Sequence, residues 1–310
     1  IIWQEIEEFV NQVVWCQWND IAIPQGWKLI SAPVDTLSTS ELSEITIYVP
    51  TYMGGKKSLD PISDLPNLRT VQLLTAGYED VVPFMRNELI LCNARGVHDF
   101  STSELAMSLI LAHFKNHHEF AGNQSQGFWN HKTIGSLYGK EIAIIGAGSV
   151  AQRLKSMLAP FECKVTMFGQ SARDGVEAIS TAQATIGKFD CVVLLVPLTS
   201  DTRNLVDSAF LAAMKDGALL VNVARGAVVN TDALCAELKT KRLFAALDVT
   251  DPEPLPKEHP LWEFKNCTVV PHVGGDSTAF EPQAHAFLAE QFHRMAQGQQ
   301  PINIIDWKKL

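Results

Sequence analysis

Three side chains suited to acid–base and carboxylate chemistry each follow a short apolar run. Arg225 lies in NVARGAVVNTDAL, Glu253 in ALDVTDPEPLP and His272 in VVPHVGG. Taken singly, such residues are more often surface or satisfied groups. As a set they match the needs of reducing a 2-oxo acid: a hydride for the carbonyl carbon, a proton for its oxygen and a cation for the carboxylate. Arg225 suits the carboxylate, because a planar guanidinium binds it bidentately. His272 suits proton transfer near neutral pH. Glu253 would hold the imidazole in one orientation, and a neighbouring negative charge favours the protonated ring. Asp248, at the end of the run before Glu253, would accept a hydrogen bond from a cofactor carboxamide or orient Arg225.

These residues need a scaffold that brings several strand ends together. The stretch KEIAIIGAGSVAQRLKSMLAPF supplies its start. Glu141 to Ile145 reads as a buried strand, and Val150, Leu154, Met157, Leu158 and Phe161 as the apolar side of a helix. Between them, Gly146 allows a tight turn, Gly148 lets the backbone approach a pyrophosphate and Ala151 is small enough for helix to pack on strand. That is the context a dinucleotide fingerprint requires, with free N–H groups and a positive dipole end at the helix start. Further runs predict strands over Lys164 to Phe168, Phe189 to Pro197, Ala218 to Val223, Leu243 to Val249 and Cys267 to Val270. Helices are expected at Ser208 to Met214, at Thr231 to Lys241 capped by Asn230 or Thr231, and from Ser277 to about Ala296. Six strands with helices between them make a doubly wound domain.

Ahead of the fingerprint, strands are predicted at Lys28 to Ala32, Ile45 to Thr51, Thr70 to Leu74 and Leu89 to Asn93, with helices at Glu5 to Trp15 and around Leu37 to Glu44. In LLTAGYED a strand runs into a small-residue turn, where Ala76 and Gly77 could offer backbone N–H groups to an anion. Ser101, with Glu104 three residues on, predicts a capping box for a strong helix. His117 and His118 are neighbours and point in different directions on a helix, which favours a solvated helix end over a metal site. The expected organisation is a first part of a substrate domain at 1–97, a dinucleotide domain at 98–275 and a C-terminal helix at 276–310 returning to the first part.

Composition sets limits. The chain has 310 residues, 46% hydrophobic and 19% charged, with a net charge of −9. That is a globular composition, and the acidic balance argues against nucleic acid as the main partner. No apolar run approaches a membrane span. The six cysteines form no C-x-x-C pair, so buried free thiols in a reducing cytoplasm are expected. The chain opens without Met, which suggests that some residues or a tag are missing, with mature processing the weaker explanation.

The ordered set G-x-G-x-x-A, VNVARG, ALDVTDPEPL and PHVGG resembles the D-isomer-specific 2-hydroxyacid dehydrogenase family, which includes glyoxylate and hydroxypyruvate reductases. The resemblance spans nearly the whole chain, LLTAGYED and ARGVHDFSTSELA included. It implies an α/β fold of two doubly wound domains, Rossmann-like and flavodoxin-like, with the cofactor domain inserted in the substrate domain. It implies Arg225, Glu253 and His272 as the catalytic trio, Ala76 and Gly77 against the substrate carboxylate, and cofactor contacts from Ser149, Val150, Pro197, Val223, Ala224 and Asp248. It also implies a small 2-oxo or 2-hydroxy acid as substrate and a homodimer. One departure is informative. NAD-preferring members carry an Asp at the end of the second strand, whereas this chain has Gly169 and Gln170, followed by Ser171 and Arg173. Without an acid to repel a 2′-phosphate, and with Ser171 and Arg173 available to bind one, NADP(H) is favoured over NAD(H). The alternative is a nucleotide-sensing, corepressor-like protein on the same fold, disfavoured by the lack of a basic patch or interaction tail. A formate dehydrogenase would place Gln where Glu253 stands. A methyltransferase would not need the trio.

Overall fold

The computed structural model describes residues 11–309. It divides into two compact units, one of Ile1–His98 with Thr278–Leu310 and one of Asp99–Ser277. The second is thus inserted into the sequence of the first.

The first unit holds strands β1 (Val13–Cys16), β2 (Lys28–Ile30), β3 (Ile47–Val49), β4 (Thr70–Gln72) and β5 (Ile90–Cys92), all parallel, in the order β5-β4-β3-β1-β2. A two-residue strand, β13 (Ile304–Ile305), adds to β5 in antiparallel sense. The order is flavodoxin-like. Helices α1 (Thr39–Glu44), α2 (Gly55–Leu59) and α9 (Phe280–Ala296) belong to this unit. Helix α9 buries Phe280, Ala284, Leu288, Phe292 and Met295 against Val14, Cys16, Ile47 and Val49, while Trp15, Tyr48, Val71 and Leu91 face a second core. Burial on both faces explains why these strands read as continuous apolar runs.

One expectation fails here. Val13–Cys16 is a strand paired with β2 and β3, not the end of a helix. The rest of the predicted helix, before residue 11, lies outside the described residues. The β-branched and aromatic run VVWC fits the middle of a two-sided sheet, and that packing outweighs the helical pattern suggested by the acidic stretch before it.

The second unit holds β6 (Glu141–Ile145), β7 (Lys164–Gly169), β8 (Val176–Ala178), β9 (Cys191–Leu194), β10 (Leu219–Asn222), β11 (Phe244–Leu247) and β12 (Cys267–Val269). All are parallel, in the order β12-β11-β10-β9-β6-β7-β8, the doubly wound Rossmann arrangement. Six of the seven were expected. β8 is too short to leave a pattern. The helices are α3 (Asp99–Phe114), α4 (His117–Ser125), α5 (Ser149–Leu158), α6 (Ala182–Thr185), α7 (Ser208–Ala213) and α8 (Thr231–Thr240). Asp207 caps α7 by accepting from Phe210 N–H at 2.8 Å, and Asn230 caps α8 by accepting from Ala233 N–H at 2.9 Å. Helix α3 begins at Asp99, ahead of the expected cap; Ser101 Oγ bonds Ser277 Oγ at 2.6 Å instead of forming a capping box.

Candidate active site

Strand register sets where the polar residues emerge. Leu194 pairs with both Ile145 and Asn222, Asn222 with Leu247, and Leu247 with Val269. The carboxyl ends of β6, β9, β10, β11 and β12 are therefore level. Gly146, Pro197, Arg225, Asp248 and His272 all follow on that one edge, where open α/β sheets bind ligands.

His272 Nδ1 lies 2.5 Å from Glu253 Oε1. With Glu253 accepting as a carboxylate, Nδ1 would carry the hydrogen and Nε2 would be left open. Both side chains are partly exposed, at 32% and 39%. His272 has φ +51°, a left-handed conformation uncommon for a residue with a side chain. Asp248 holds it there. Its backbone carbonyl accepts from His272 N–H at 2.8 Å, its Oδ1 from Val273 N–H at 2.7 Å and its Oδ2 from Gly274 N–H at 3.0 Å. Burial pushes the Asp248 carboxyl above the ordinary aspartate range, against the pull of those two N–H groups and of His272. Asp248 therefore braces the histidine loop, whereas Arg225 donates from Nη1 to the Ala224 carbonyl at 2.8 Å.

Arg225 is positioned by a residue that the sequence reading did not single out. The buried Asn222 side chain donates to Arg225 O at 3.0 Å and accepts from Ala224 N–H at 3.1 Å, while Asn222 O accepts from Asp248 N–H at 2.9 Å. A buried polar pair at the ends of β10 and β11 thus anchors the arginine and histidine loops. Gly226 was missed too. A Cβ there would sit 1.9 Å from the Thr250 carbonyl oxygen. The signal for Asn222 was a polar residue closing an otherwise apolar strand. Gly226 is told only by the approach of a distant loop. Asp251–Pro252 and Glu253–Pro254, which flank Glu253, are both cis.

At the glycine turn, Gly146 has φ +122°, and a Cβ would lie 2.5 Å from Leu195 O. Gly148 has open space where its Cβ would be, and it opens α5 with no side-chain cap on the first turn. Ala151 is fully buried. A turn that bars a side chain at Gly146 and leaves open space at Gly148, beside uncapped N–H groups, fits a pyrophosphate. Ser149 Oγ donates to Asp99 Oδ1 at 2.9 Å. Val150 is half-buried, and Ser171 and Pro197 are exposed. Val223 and Ala224 are buried in the cores on opposite faces of the sheet, which leaves only their backbone for a ligand. Arg173 is exposed but not loose. Residues 173 and 176 exchange backbone hydrogen bonds around Gly175, and Arg173 Nη2 donates to Ala147 O at 3.0 Å. Its Nη1 would lie 3.2 Å from a Cβ on Gly169, so a side chain there would crowd the guanidinium.

In the first unit, Ala76 is exposed and Gly77 half-buried in the turn after β4. Neither backbone N–H has a hydrogen-bond acceptor among the described residues.

Residues 107–274 match the family model for the D-isomer specific 2-hydroxyacid dehydrogenase, NAD binding domain. The glyoxylate reductase/hydroxypyruvate reductase of Mus musculus is 31% identical, over 71% of this chain and 70% of its own. The chain belongs to this family. The enzyme is also 28% identical to the glyoxylate reductase of Aeropyrum pernix, over 88% of this chain and 86% of that one. In fold it is similar to the NADPH-dependent glyoxylate/hydroxypyruvate reductase of Sinorhizobium meliloti, solved with NADP and sulfate. There the TM-score is 0.80 at 22% identity, covering 96% of this chain and 98% of that one. The expected family and fold class are borne out. The protein is an NAD(P)-dependent oxidoreductase of small 2-hydroxy and 2-oxo acids, and the corepressor-like alternative is not favoured. Among the described residues no helix is long and apolar enough to cross a membrane.

Proposed function

We propose that the enzyme reduces a small 2-oxo acid, of the size of glyoxylate, hydroxypyruvate or pyruvate, to its D-2-hydroxy acid. The observation that carries this reading is the His272–Glu253 pair at 2.5 Å, on the strand edge that also bears Arg225. A bound nicotinamide dinucleotide supplies the hydride that reaches the carbonyl carbon. His272 donates the Nε2 proton to the carbonyl oxygen and becomes neutral, while Glu253 keeps the ring oriented through Nδ1. Arg225 clamps the substrate carboxylate; in the other unit, the Ala76 and Gly77 N–H groups make an anion-binding turn. In oxidation the same imidazole takes the hydroxyl proton.

The Asp99–Ser277 unit holds the cofactor, with Gly146, Gly148, Ser149 and Val150 at the pyrophosphate. Backbone groups at Pro197, Val223 and Ala224 line its path, and Asp248 braces the loop at the nicotinamide end. The other unit holds the substrate. NADP(H) is preferred: Arg173, folded onto the glycine turn, and Ser171 meet a 2′-phosphate. A homodimer is supported by apolar side chains left exposed between α4 and β6, with Trp129 at 91% and Tyr138 at 72%; sedimentation at equilibrium reads it directly. Six cysteines without disulfides support a cytoplasmic location.

The deciding experiment follows nicotinamide absorbance with NADPH and NADH in parallel against glyoxylate, hydroxypyruvate and pyruvate. Oxidation of NADPH by one of them is expected. Oxidation of NADH alone would remove the cofactor preference. Tight cofactor binding with no turnover of any 2-oxo acid would remove the reaction.

A further inference from the structure

The turn after β4 is electrically one-sided. Five successive carbonyls, from Leu73 to Gly77, each accept a hydrogen bond. Their donors are Gln72 Nε2 at 2.8 Å, His98 Nε2 at 2.7 Å, Ala94 N–H at 2.8 Å, Asn93 Nδ2 at 2.6 Å and Thr75 Oγ1 at 2.7 Å, in that order. Every backbone carbonyl in the stretch is thus engaged, while the N–H groups of Ala76 and Gly77 meet no acceptor among the described residues. Such a turn presents donors to its surroundings and has an affinity for anions.

The peptide between Ala76 and Gly77 matters most. It is planar and trans, so its C=O and N–H point in opposite directions. Whatever holds the Ala76 carbonyl therefore aims the Gly77 N–H. That group is Asn93, which is 5% exposed. Asn93 is itself fixed from two sides. Its Oδ1 accepts from Arg95 N–H at 3.2 Å, and its own N–H donates to Asn303 O at 3.2 Å. The tail beyond α9 thus helps to set the turn.

We propose that Asn93 is a positioning residue for the substrate carboxylate, acting through the Ala76 carbonyl, with Thr75 as a secondary tie on Gly77. This rests on the Ala76–Gly77 turn being the anion-binding element of the proposed reaction. The side chain at 93 must donate on this side. An isosteric carboxylate would face the Ala76 carbonyl with a second acceptor, and the peptide would turn away to relieve the repulsion.

The test compares wild type, Asn93→Asp and Thr75→Val. Steady-state reduction with NADPH is measured together with inhibition by oxamate, a non-reducible mimic of a 2-oxo acid. In Asn93→Asp, substrate KM and oxamate Ki are expected to rise together by about tenfold or more. kcat should change by less than about threefold, with cofactor KM and melting temperature nearly unchanged. Thr75→Val should move KM and Ki the same way by about threefold, and it decides the matter should Asn93→Asp not fold. Unchanged KM and Ki in the variants, or a fall in kcat and melting temperature alone, would overturn the proposal and leave Asn93 a structural role. Should wild type turn over no 2-oxo acid, the parent reading fails by itself. Calorimetric binding of oxamate to the cofactor complex then decides: binding weakened in Asn93→Asp upholds the positioning role, and equal binding refutes it.

Discussion

Gly226 lies directly against Thr250. A Cβ on Gly226 would fall 1.9 Å from the Thr250 carbonyl oxygen and 2.6 Å from Asp251 N. The loop carrying Arg225 and the loop carrying Glu253 are thus seated on each other with no room for a methyl group, and Thr231 Oγ1 ties the same place by donating to Asp251 O at 2.8 Å. Gly226→Ala must move one backbone or the other. We expect a loss of about 1–3 kcal/mol in stability from overpacking, read as a lower melting temperature. kcat/KM should also fall, because both loops carry groups of the proposed reaction. A variant with wild-type melting temperature and kinetics would show that the two loops are not coupled.

His272 combines a proposed proton donor with a left-handed backbone, so an alanine replacement would disturb two things at once. Asn tolerates that conformation better than most residues. His272→Asn should therefore keep the melting temperature and the cofactor affinity while kcat falls by about 10² to 10⁴, the usual worth of a general acid. Stopped-flow reduction with NADPH gives kcat, and fluorescence titration gives cofactor binding. A fall of less than about threefold in kcat would take His272 out of the reaction.

Much of this arrangement is legible in the amino-acid sequence, and the exceptions have physical reasons. Strands buried on both faces, such as Cys191–Leu194, are apolar throughout and announce themselves. So do turns that need glycine for local reasons, as Gly146 does. Long-range constraints leave no local mark. VVWC lay within reach of a helical pattern, and its place between β2 and β3 decided its form. Ser101 and Glu104 had the spacing of a capping box, yet the Ser101 hydroxyl found Ser277. Asn222 and Asp248 were visible only as polar ends of apolar strands. Their work, holding the arginine and histidine loops, depends on partners that only the fold brings near.

Arg173 tests the cofactor preference. Its guanidinium rests on the glycine turn through Ala147 O, and the lack of a side chain at Gly169 leaves it room. A charge-assisted hydrogen bond to a phosphate is worth about 1.5–3 kcal/mol, or about ten- to a hundredfold in affinity. Arg173→Ala should raise the NADPH KM by that factor and leave the NADH KM within about threefold. Equal effects on both cofactors would mean that Arg173 supports the turn and does not read the 2′-phosphate.

Asp190 offers a test of stability that is separate from the reaction. It precedes β9, at the opposite edge of the sheet from the proposed site. Its side chain is 13% exposed and accepts from Lys215 Nζ at 2.7 Å, Glu141 N–H at 3.0 Å and Lys140 Nζ at 3.4 Å. Burial works against its charge. The Lys215 hydrogen bond, the Glu141 N–H and the two lysine charges together outweigh it and hold the carboxyl below the ordinary aspartate range. A carboxyl lowered on folding binds fewer protons in the folded state than in the unfolded one. Stability from Asp190 is therefore complete above the unfolded value, near 4, and is lost as pH falls through the folded value. Asp190→Asn removes the charge and sets an amide nitrogen against one of the present donors. At pH 7 the variant should be less stable by about 1.5–3 kcal/mol, the range for hydrogen bonds to charged groups. The gap should narrow as pH drops below about 4. Urea denaturation of both proteins from pH 7 to the lowest pH at which wild type stays folded measures it. A gap that is constant with pH would mean that the side chain's shape, and not its charge, is what the fold uses.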